Sequence, residues 1–194
     1  MITISKSENT KTAAAKIAAV LKNPGTVALV PTETVYGLVC RASDRIAIDR
    51  IVHLKHSSAG KFFGWFVRDC TVAEQYGLRF SDTAKRLAAA YFPGAVTLIV
   101  AASENTTQAI RIPDHPLISS LLDFFDEPLV QTSANASGMP DALSLEQALM
   151  QLDGEPDIVC DGGHLEHDAA GSTVVNTVVT PPVILRQGKV FVEV

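Results

Sequence analysis

The stretch Pro-Thr-Glu-Thr-Val-Tyr-Gly-Leu occupies residues 31–38 and directly follows an apolar run at residues 26–30. This order predicts a short buried strand that ends in a turn carrying three hydroxyl groups and one carboxylate. Open α/β sheets bind ligands at such strand ends, because the loops there are held by a rigid scaffold. Short hydroxyl side chains suit a small polar ligand. The same pattern is equally typical of a proline-initiated turn whose threonines bond only their own backbone.

A second polar stretch, Thr-Ser-Ala-Asn-Ala-Ser-Gly, occupies residues 132–138 after a predicted strand at residues 128–131. Its hydroxyls, amide and unhindered backbone N–H groups can hold phosphate oxygens without a Walker loop. An ordinary polar loop with an Asx-turn has the same composition. Ser133 has no Gly-x-Ser-x-Gly frame, so a nucleophile elbow is not predicted.

Three basic residues stand at informative places in the sequence. Lys55 follows a predicted helix, and Arg111 and Arg186 each interrupt an apolar strand. A desolvated guanidinium needs an anionic partner. Each arginine is therefore expected either to face an anionic ligand, to pair with a structural carboxylate, or to point to solvent.

The glycine-flanked loop at residues 162–171 contains two histidines and two acidic residues, namely His164, Glu166, His167 and Asp168. No helix aligns this His-x-x-His spacing, and no second ligand group lies nearby in sequence. Such loops are usually solvated, so no metal site is predicted.

Composition limits the class of protein. With 194 residues, 47% hydrophobic and 19% charged, the chain is predicted to be one soluble globular domain with a substantial core. The formal net charge of −5 argues against a broadly basic nucleic-acid surface but is compatible with a local basic patch. No apolar run approaches the ~18 residues of a membrane span. The cysteines are widely spaced and predict free thiols in the cytoplasm; they are Cys40, Cys70 and Cys160.

Helical and strand patterns alternate early in the chain, and strands dominate the last third. The resulting prediction is a mixed, twisted sheet with helices packed against it. Helices are predicted at residues 10–21, 43–54, 81–91, 115–125 and 144–152. Strands are predicted at residues 26–30, 62–67, 96–101, 109–112, 128–131, 157–160, 172–179, 183–186 and 190–194.

Seven ordered segments between about Val27 and Gly188 resemble the motifs of the YrdC-like family, the threonylcarbamoyl-AMP synthases. They are Pro-Thr-Glu-Thr-Val-Tyr-Gly-Leu at 31, Leu-Lys at 54, Phe-Pro-Gly-Ala-Val-Thr-Leu at 92, Arg-Ile-Pro-Asp-His-Pro at 111, Ser-Ala-Asn-Ala-Ser-Gly at 133, Ser-Thr-Val-Val at 172 and Leu-Arg-Gln-Gly at 185. The chain resembles the short form, so the extra C-terminal domain of longer relatives is not expected. The resemblance implies a single YrdC-like α/β domain over residues 1–194, with a concave cavity.

The resemblance also implies a nucleotidyltransferase that binds ATP, L-threonine and bicarbonate and releases threonylcarbamoyl-AMP and pyrophosphate. The product would serve the threonylcarbamoyladenosine modification of tRNA. A Mg²⁺ ion would be held chiefly by the triphosphate, so a cluster of metal ligands is not expected. Weak contact with tRNA or a partner protein is expected, and contact with a membrane is not.

Site residues follow from the resemblance position by position. Thr32 is expected to contact threonine, with Arg111 binding its carboxylate and Ser172 assisting. Lys55 and Arg111 are the expected catalytic residues. Contacts to ATP are expected from Lys55, Thr107, Ser133, Asn135 and Arg186.

The stretch after Lys55 departs from the family's Lys-x-Arg-Pro signature, because Ser57 replaces the arginine and Ser58 replaces the proline. Losing one phosphate-facing guanidinium costs on the order of 2–4 kcal/mol in the transition state if nothing replaces it. Lys61 and His56 are candidate replacements, although lysine lacks the bidentate fork of arginine.

Three functions are therefore open from the sequence. The first is an active synthase in which Lys61 restores the missing charge, and the second is a weak or inactive family member that binds nucleotide or RNA. The third is another carbamoyl- or adenylyl-transfer enzyme, because fold alone does not separate these activities.

Overall fold

A computed structural model describes residues 1–57, 63–103, 105–165 and 170–194. In chain order its helices and strands are β1 (Ile2–Ile4), α1 (Thr10–Leu21), β2 (Ala28–Val30), β3 (Gly37–Arg41), α2 (Arg45–Leu54), β4 (Gly64–Phe66), α3 (Cys70–Gln75), α4 (Asp82–Tyr91), β5 (Val96–Ala101), β6 (Thr107–Arg111), α5 (Pro116–Leu122), β7 (Leu129–Ser133), α6 (Leu145–Gln151), β8 (Ile158–Cys160), β9 (Thr173–Asn176) and β10 (Val183–Arg186).

The helices begin where short polar side chains satisfy their first backbone N–H groups. Asn9 accepts hydrogen bonds from the backbone of Lys11 and Thr12, and Asp44 accepts one from Ala47. The same role falls to Asp69 before α3, Ser81 before α4 and Ser144 before α6. Each such cap contributes roughly 0.5–2 kcal/mol. Local capping therefore fixes most of the helix starts.

The ten strands form one sheet in the order β1-β8-β2-β3-β7-β4-β6-β5-β9-β10. Parallel pairs join β1 to β8, β2 to β8, β4 to β6 and β5 to β9. The other neighbours are antiparallel. This mixed sheet with flanking helices confirms the predicted fold class.

Both faces of the sheet are covered, which explains why β2 is apolar at every position. Ala28 and Val30 pack with α1 and α5 in one apolar core, whereas Leu29 packs with α2 and α6 in a second core on the opposite face. A third core joins α4 to β5, β6 and β9. Within the described residues, no helix has both the length and the apolar character needed to cross a membrane.

Several predicted bounds differ from the structure. The prediction of a strand at residues 190–194 is wrong. Side chains hold this segment instead: the Val190 carbonyl accepts from Thr173 Oγ1, and the Glu193 N–H donates to the Tyr91 hydroxyl. The helix predicted at 115–125 ends at Leu122. The sequence reasoning missed β1, β3 and α3, which are short or, in β3, begin at the glycine of the first motif.

Candidate functional site

The two polar motifs and the last two strands line one cavity of about 300 Å³. The first motif contributes Thr34, and the second contributes Thr132 and Ser133. β6 contributes Arg111, and the β9–β10 region contributes Ser172 and Arg186 on the same cavity wall. Four of the predicted site residues therefore lie together, although they come from distant parts of the sequence; they are Arg111, Ser133, Ser172 and Arg186.

A larger groove of about 620 Å³ runs beside α6, where it is lined by Leu145, Leu149 and Met150. Its surface is mostly apolar, and the basic residues singled out from the sequence lie elsewhere. The smaller, polar cavity is the better candidate, because a ligand site needs convergent polar groups as well as volume.

Arg111 is the most firmly held side chain of the cavity, with only 3% of its surface exposed. Its Nε donates to the Gly94 carbonyl at 3.1 Å, and its Nη1 donates to Thr34 Oγ1 at 3.2 Å. Its Nη2 lies 2.5 Å from Glu33 Oε1 in an ion pair, and the guanidinium lies 5.6 Å from the centre of the Phe66 ring. These contacts fix the orientation of the guanidinium before any ligand arrives.

Thr32 closes the turn of the first motif. Its Oγ1 donates to the Val35 carbonyl at 2.7 Å and accepts from the backbone N–H groups of Thr34 and Val35. The hydroxyls of Thr32 and Thr34 lie 2.9 Å apart, and it is Thr34 that lines the cavity. Thr32 therefore bonds to the backbone of its own turn, whereas Thr34 faces the cavity. Direct contact of Thr32 with an amino acid stays a prediction.

Tyr36 ties this motif to the loop after β8. Its buried hydroxyl donates to the Gly163 carbonyl at 2.7 Å and accepts from the Gly162 N–H at 2.8 Å. Burial raises the pKa of Tyr36 to about 12, so the hydroxyl keeps its proton and acts as a structural bridge. A side chain at Gly162 would come within 2.6 Å of Pro31, so this approach requires glycine.

Arg186 is anchored to the residue that precedes β9. Its Nε donates to the Ser172 carbonyl at 3.0 Å, and its Nη2 donates to Ser172 Oγ at 3.2 Å. Ser172 Oγ also lies 2.6 Å from Thr97 Oγ1. A Cβ at Gly171 would lie 3.1 Å from Arg186 Nη2, so glycine leaves the guanidinium room at this place. The result is a second oriented cation in the cavity.

Lys55 holds the second motif in place. This lysine is 2% exposed, and its Nζ donates to the carbonyls of Ser133 and Asn135 and to Asn135 Oδ1 at 3.3 Å. Ser133 Oγ donates to Asn135 Oδ1 at 2.5 Å, and Asn135 Nδ2 donates to the Met139 carbonyl at 2.5 Å. The ammonium therefore acts on the loop that carries the predicted phosphate contacts.

The stretch that is expected to differ from the Lys-x-Arg-Pro signature contacts the second motif as well. Ser57 Oγ lies 2.8 Å from Ser137 Oγ. His56 has a positive φ of 49°, which is uncommon for a residue other than glycine, and its Nε2 lies 3.6 Å from Asp153 Oδ2. Lys61, the predicted replacement for the missing charge, lies outside the described residues.

Other predicted residues lie apart from the cavity. Thr107 is exposed at the start of β6 and is absent from the described cavity lining. His164 lies in the described part of the loop at residues 162–171, whereas Glu166, His167 and Asp168 lie outside it. Among residues 1–57, 63–103, 105–165 and 170–194, no three His, Cys, Asp or Glu residues group together as metal ligands.

Sequence reasoning missed several residues that shape the site. Glu33 belongs to the first motif but had no predicted role, and Gln131 and Asp141 line the cavity. Gln131 could have been found, because it is a polar residue at the end of an apolar strand. Asp141 gives no comparable signal.

Comparisons with known proteins place the chain in a family. The chain matches the model of the Sua5/YciO/YrdC family, described as telomere recombination, over residues 20–188. It is 30% identical over 187 residues to the threonylcarbamoyl-AMP synthase of Pyrococcus abyssi, covering 92% of this chain and 55% of that protein. For the Bacillus subtilis synthase the identity is 33% over 189 residues, covering 92% and 54%. The chain thus spans about half the length of these two relatives.

A shorter relative and two solved structures complete the comparison. The Pseudoalteromonas translucida threonylcarbamoyl-AMP synthase is 31% identical over 184 residues, covering 86% of this chain and 90% of that protein. The crystal structure of P. abyssi Sua5 complexed with L-threonine has a TM-score of 0.83 at 28% identity, covering 96% of this chain and 57% of that one. E. coli YciO has the same fold, with a TM-score of 0.83 at 24% identity over 97% of this chain and 95% of that one.

Proposed function

The chain belongs to the Sua5/YciO/YrdC family, and from this membership we propose that it is a nucleotidyltransferase making threonylcarbamoyl-AMP and pyrophosphate from L-threonine, bicarbonate and ATP. The observation that carries the proposal is the placement of Arg111 and Arg186 on one small cavity, together with the hydroxyls of Ser133 and Ser172. Two oriented guanidiniums suit a reaction in which a carboxylate and a phosphate must be held side by side.

The chemistry needs positioning more than a protein nucleophile. Threonine and bicarbonate give an N-carboxy-threonine, whose carboxylate oxygen attacks the α-phosphorus of ATP. A new oxygen–phosphorus bond forms, the bond from the α-phosphorus to the bridging oxygen breaks, and pyrophosphate leaves. The cavity has to hold the labile carbamate in line with the phosphate and to exclude water.

Each described residue has a proposed task in this reaction. Arg111 binds the α-carboxylate of threonine with the Thr34 hydroxyl beside it, and Arg186 and Ser133 bind the phosphates. Lys55 keeps the second motif in its binding conformation through the carbonyls of Ser133 and Asn135. Charge that develops on the phosphates is then met by donors already in place.

A Mg²⁺ ion fits this cavity as a companion of the triphosphate. Mg²⁺ is usually held by one or two carboxylates plus substrate phosphates. The described lining offers one carboxylate, that of Asp141, on the same loop as the second motif. The ion would neutralise phosphate charge, and Asp141 is the residue of this chain that would hold it.

The replacement of an arginine by Ser57 supports a slow enzyme within this proposal. The Ser57 hydroxyl contacts Ser137 and keeps the second motif linked to the end of α2, but it supplies no positive charge to the phosphates. We expect turnover below that of relatives with the full signature. A protein that binds nucleotide without turnover is the alternative to this proposal.

The wider cellular role is also a proposal. We infer that the product serves tRNA modification in the cytoplasm. The free thiols of Cys40 and Cys160 support a reducing compartment. The net charge of −5 favours weak contact with tRNA over tight RNA binding.

The test is a reconstitution with purified protein, ATP, Mg²⁺, L-threonine and bicarbonate. We expect pyrophosphate release and an AMP-linked threonine product by mass spectrometry, both requiring threonine and bicarbonate. Reactions without threonine, and reactions with L-serine in its place, are the controls. ATP binding without threonine-dependent pyrophosphate release would overturn the synthase in favour of the binding protein.

A further inference from the structure

Glu33 lies directly behind the cavity arginine. Its Oε1 is 2.5 Å from Arg111 Nη2 and accepts the Asp114 backbone N–H at 2.8 Å. The side chains of Glu33 and Arg111 are 17% and 3% exposed. Glu33 itself is absent from the described cavity lining, so it acts on a ligand through Arg111 and through its charge.

We propose that Glu33 makes this end of the cavity selective for a zwitterionic amino acid over a simple carboxylate, as a specificity-determining residue that acts through Arg111. The inference rests on the proposed function, because it assumes that Arg111 receives the carboxylate of an amino acid.

Hydrogen-bonding capacity is left over in this pair. Arg111 Nη2 is taken by Glu33 Oε1, but the other carboxylate oxygen, Glu33 Oε2, is buried and has no hydrogen-bond partner within the described part of the chain. Buried polar atoms nearly always find partners, so the unpartnered Glu33 oxygen leaves negative charge available beside Arg111. The contacts to Gly94 and Thr34 occupy other N–H groups of the same guanidinium and hold it still.

Charge explains the selectivity. Arg111 alone would attract any anion, including inorganic phosphate. With Glu33 beside it, the two charges nearly cancel, so a ligand that brings only a negative charge gains little. An amino acid brings an ammonium as well, which the glutamate charge attracts across the partly buried wall, where effective dielectric constants are far below that of water. The pair therefore favours a ligand with both charges.

The experiment compares L-threonine with 3-hydroxybutanoate, which has the same skeleton without the ammonium. Affinities are measured by isothermal calorimetry, with displacement titrations for the weaker ligand. In Glu33→Gln the ratio of the two affinities should fall at least about tenfold, the size expected from one unit charge near a buried group. Loss of Arg111 orientation weakens both ligands alike and cancels in the ratio, so the ratio reports charge alone.

Two variants serve as controls. Glu33→Asp keeps the charge and should leave the ratio within about threefold of the unaltered protein. Glu127→Gln makes the same change in the Arg41–Glu127 pair, whose carboxylate also accepts a backbone N–H, and should leave the ratio unchanged. If Glu33→Gln does not fold, Glu33→Thr gives the same comparison with an uncharged side chain.

The outcomes separate this inference from the proposed function. An unchanged ratio in Glu33→Gln, in a protein that still makes product from threonine, overturns the role of Glu33 alone. Failure of the unaltered protein to bind threonine overturns both the proposed function and this role.

Discussion

Two glutamate–arginine pairs of similar length lie in different surroundings within the described part of the chain. Glu33 and Arg111 lie 2.5 Å apart beside the cavity, and Glu127 and Arg41 lie 2.5 Å apart at the joined ends of β3 and β7. Each glutamate also accepts a backbone N–H group. The pairs differ in whether both carboxylate oxygens of the glutamate have hydrogen-bond partners.

Glu127 uses both oxygens, because Oε1 accepts from Arg41 and Oε2 accepts from the Ser43 N–H at 3.0 Å. Burial by itself would raise the pKa of Glu127, but the hydrogen bonds from Ser43 and Arg41 outweigh it and hold the pKa below its ordinary value. At the cavity, Glu33 Oε2 is buried without a hydrogen-bond partner among the described residues. A saturated pair stabilises the fold, whereas an unsaturated one keeps capacity for a ligand.

The largest test of this comparison replaces each arginine by alanine. Arg111→Ala should lower kcat/KM for threonine at least about 100-fold, because a charge-assisted contact to the substrate carboxylate is lost. Arg41→Ala should change kcat/KM by less than about twofold while lowering stability. Both are measured by pyrophosphate release and urea denaturation.

Arg111→Ala also leaves Glu33 buried without its cation, so its stability should fall as well. Adding Glu33→Gln to Arg111→Ala should restore stability without restoring activity. Recovery of activity in the double variant would show that Arg111 is only a structural partner of Glu33.

Lys55 allows a test of whether one cation can both stabilise the fold and shape the cavity. Lys55→Met should cost about 2–3 kcal/mol of unfolding free energy, because the carbonyls of Ser133 and Asn135 lose a charged donor. The matched control, Lys16→Met, breaks an exposed pair with Glu8 and should cost less than about 0.5 kcal/mol. An equally small cost in both variants would contradict the structural role given to Lys55.

Ser57 stands where the resemblance in sequence places the arginine of a Lys-x-Arg-Pro signature. Ser57→Arg should raise turnover about tenfold, since a guanidinium near the leaving pyrophosphate acts mainly on rate. Ser137→Ala removes the same hydroxyl contact without adding charge and should bring no gain. No gain in Ser57→Arg would mean that the site is limited elsewhere, and the binding-protein alternative would lead.

The smallest expected effect is on the pH dependence of stability, which should differ between the surroundings of the cavity pair and those of the Arg41–Glu127 pair. His115 stands next to the cavity pair, facing Glu33, Arg111 and Asp114, and burial, the largest influence, lowers its pKa below 6.5. Folding favours neutral His115, so its contribution to stability is complete above pH 6.5 and is lost as pH falls below that value. His115→Asn should remove this loss, as measured by urea denaturation at several pH values.

Glu127 supplies the contrasting pH window. Its pKa is lowered from 4.5, so the stability it contributes is complete above that pH and is lost only as pH falls further. Between pH 4.5 and 7, the change of unfolding free energy with pH should therefore become smaller in His115→Asn and stay the same in Glu127→Gln. The reverse pattern would show that Glu127, and not His115, sets the pH dependence of stability in this range.

The sequence predicted the elements whose signals are local. Helix α1 agrees with its predicted bounds, because Asn9 caps its start and Pro24-Gly25 follow its end. The strand positions of Arg111 and Arg186 were also predicted, since each interrupts an apolar run. Capping side chains and apolar periodicity lie within a few residues of the structure they specify.

Long-range contacts were the part that sequence could not provide. Glu33 stands in the first motif, yet its partner Arg111 lies on β6, and no local pattern connects them. The apolar alternation at residues 190–194 indicated a strand, but side-chain bonds from Thr173 and Tyr91 hold this segment instead. Which threonine closes a turn and which lines a cavity also depends on tertiary contacts.

The strand order has a consequence for biosynthesis. The cavity joins Thr34, from the first fifth of the chain, to Arg186 on β10, and the parallel pairing of β5 with β9 lies between them. On the ribosome, a nascent chain therefore has an incomplete cavity until residue 186 has emerged. Pairings between distant segments form slowly, because closing long loops costs entropy before contacts repay it. A substrate can thus stabilise only chains that already contain β10, and the earlier strands must pair without its help.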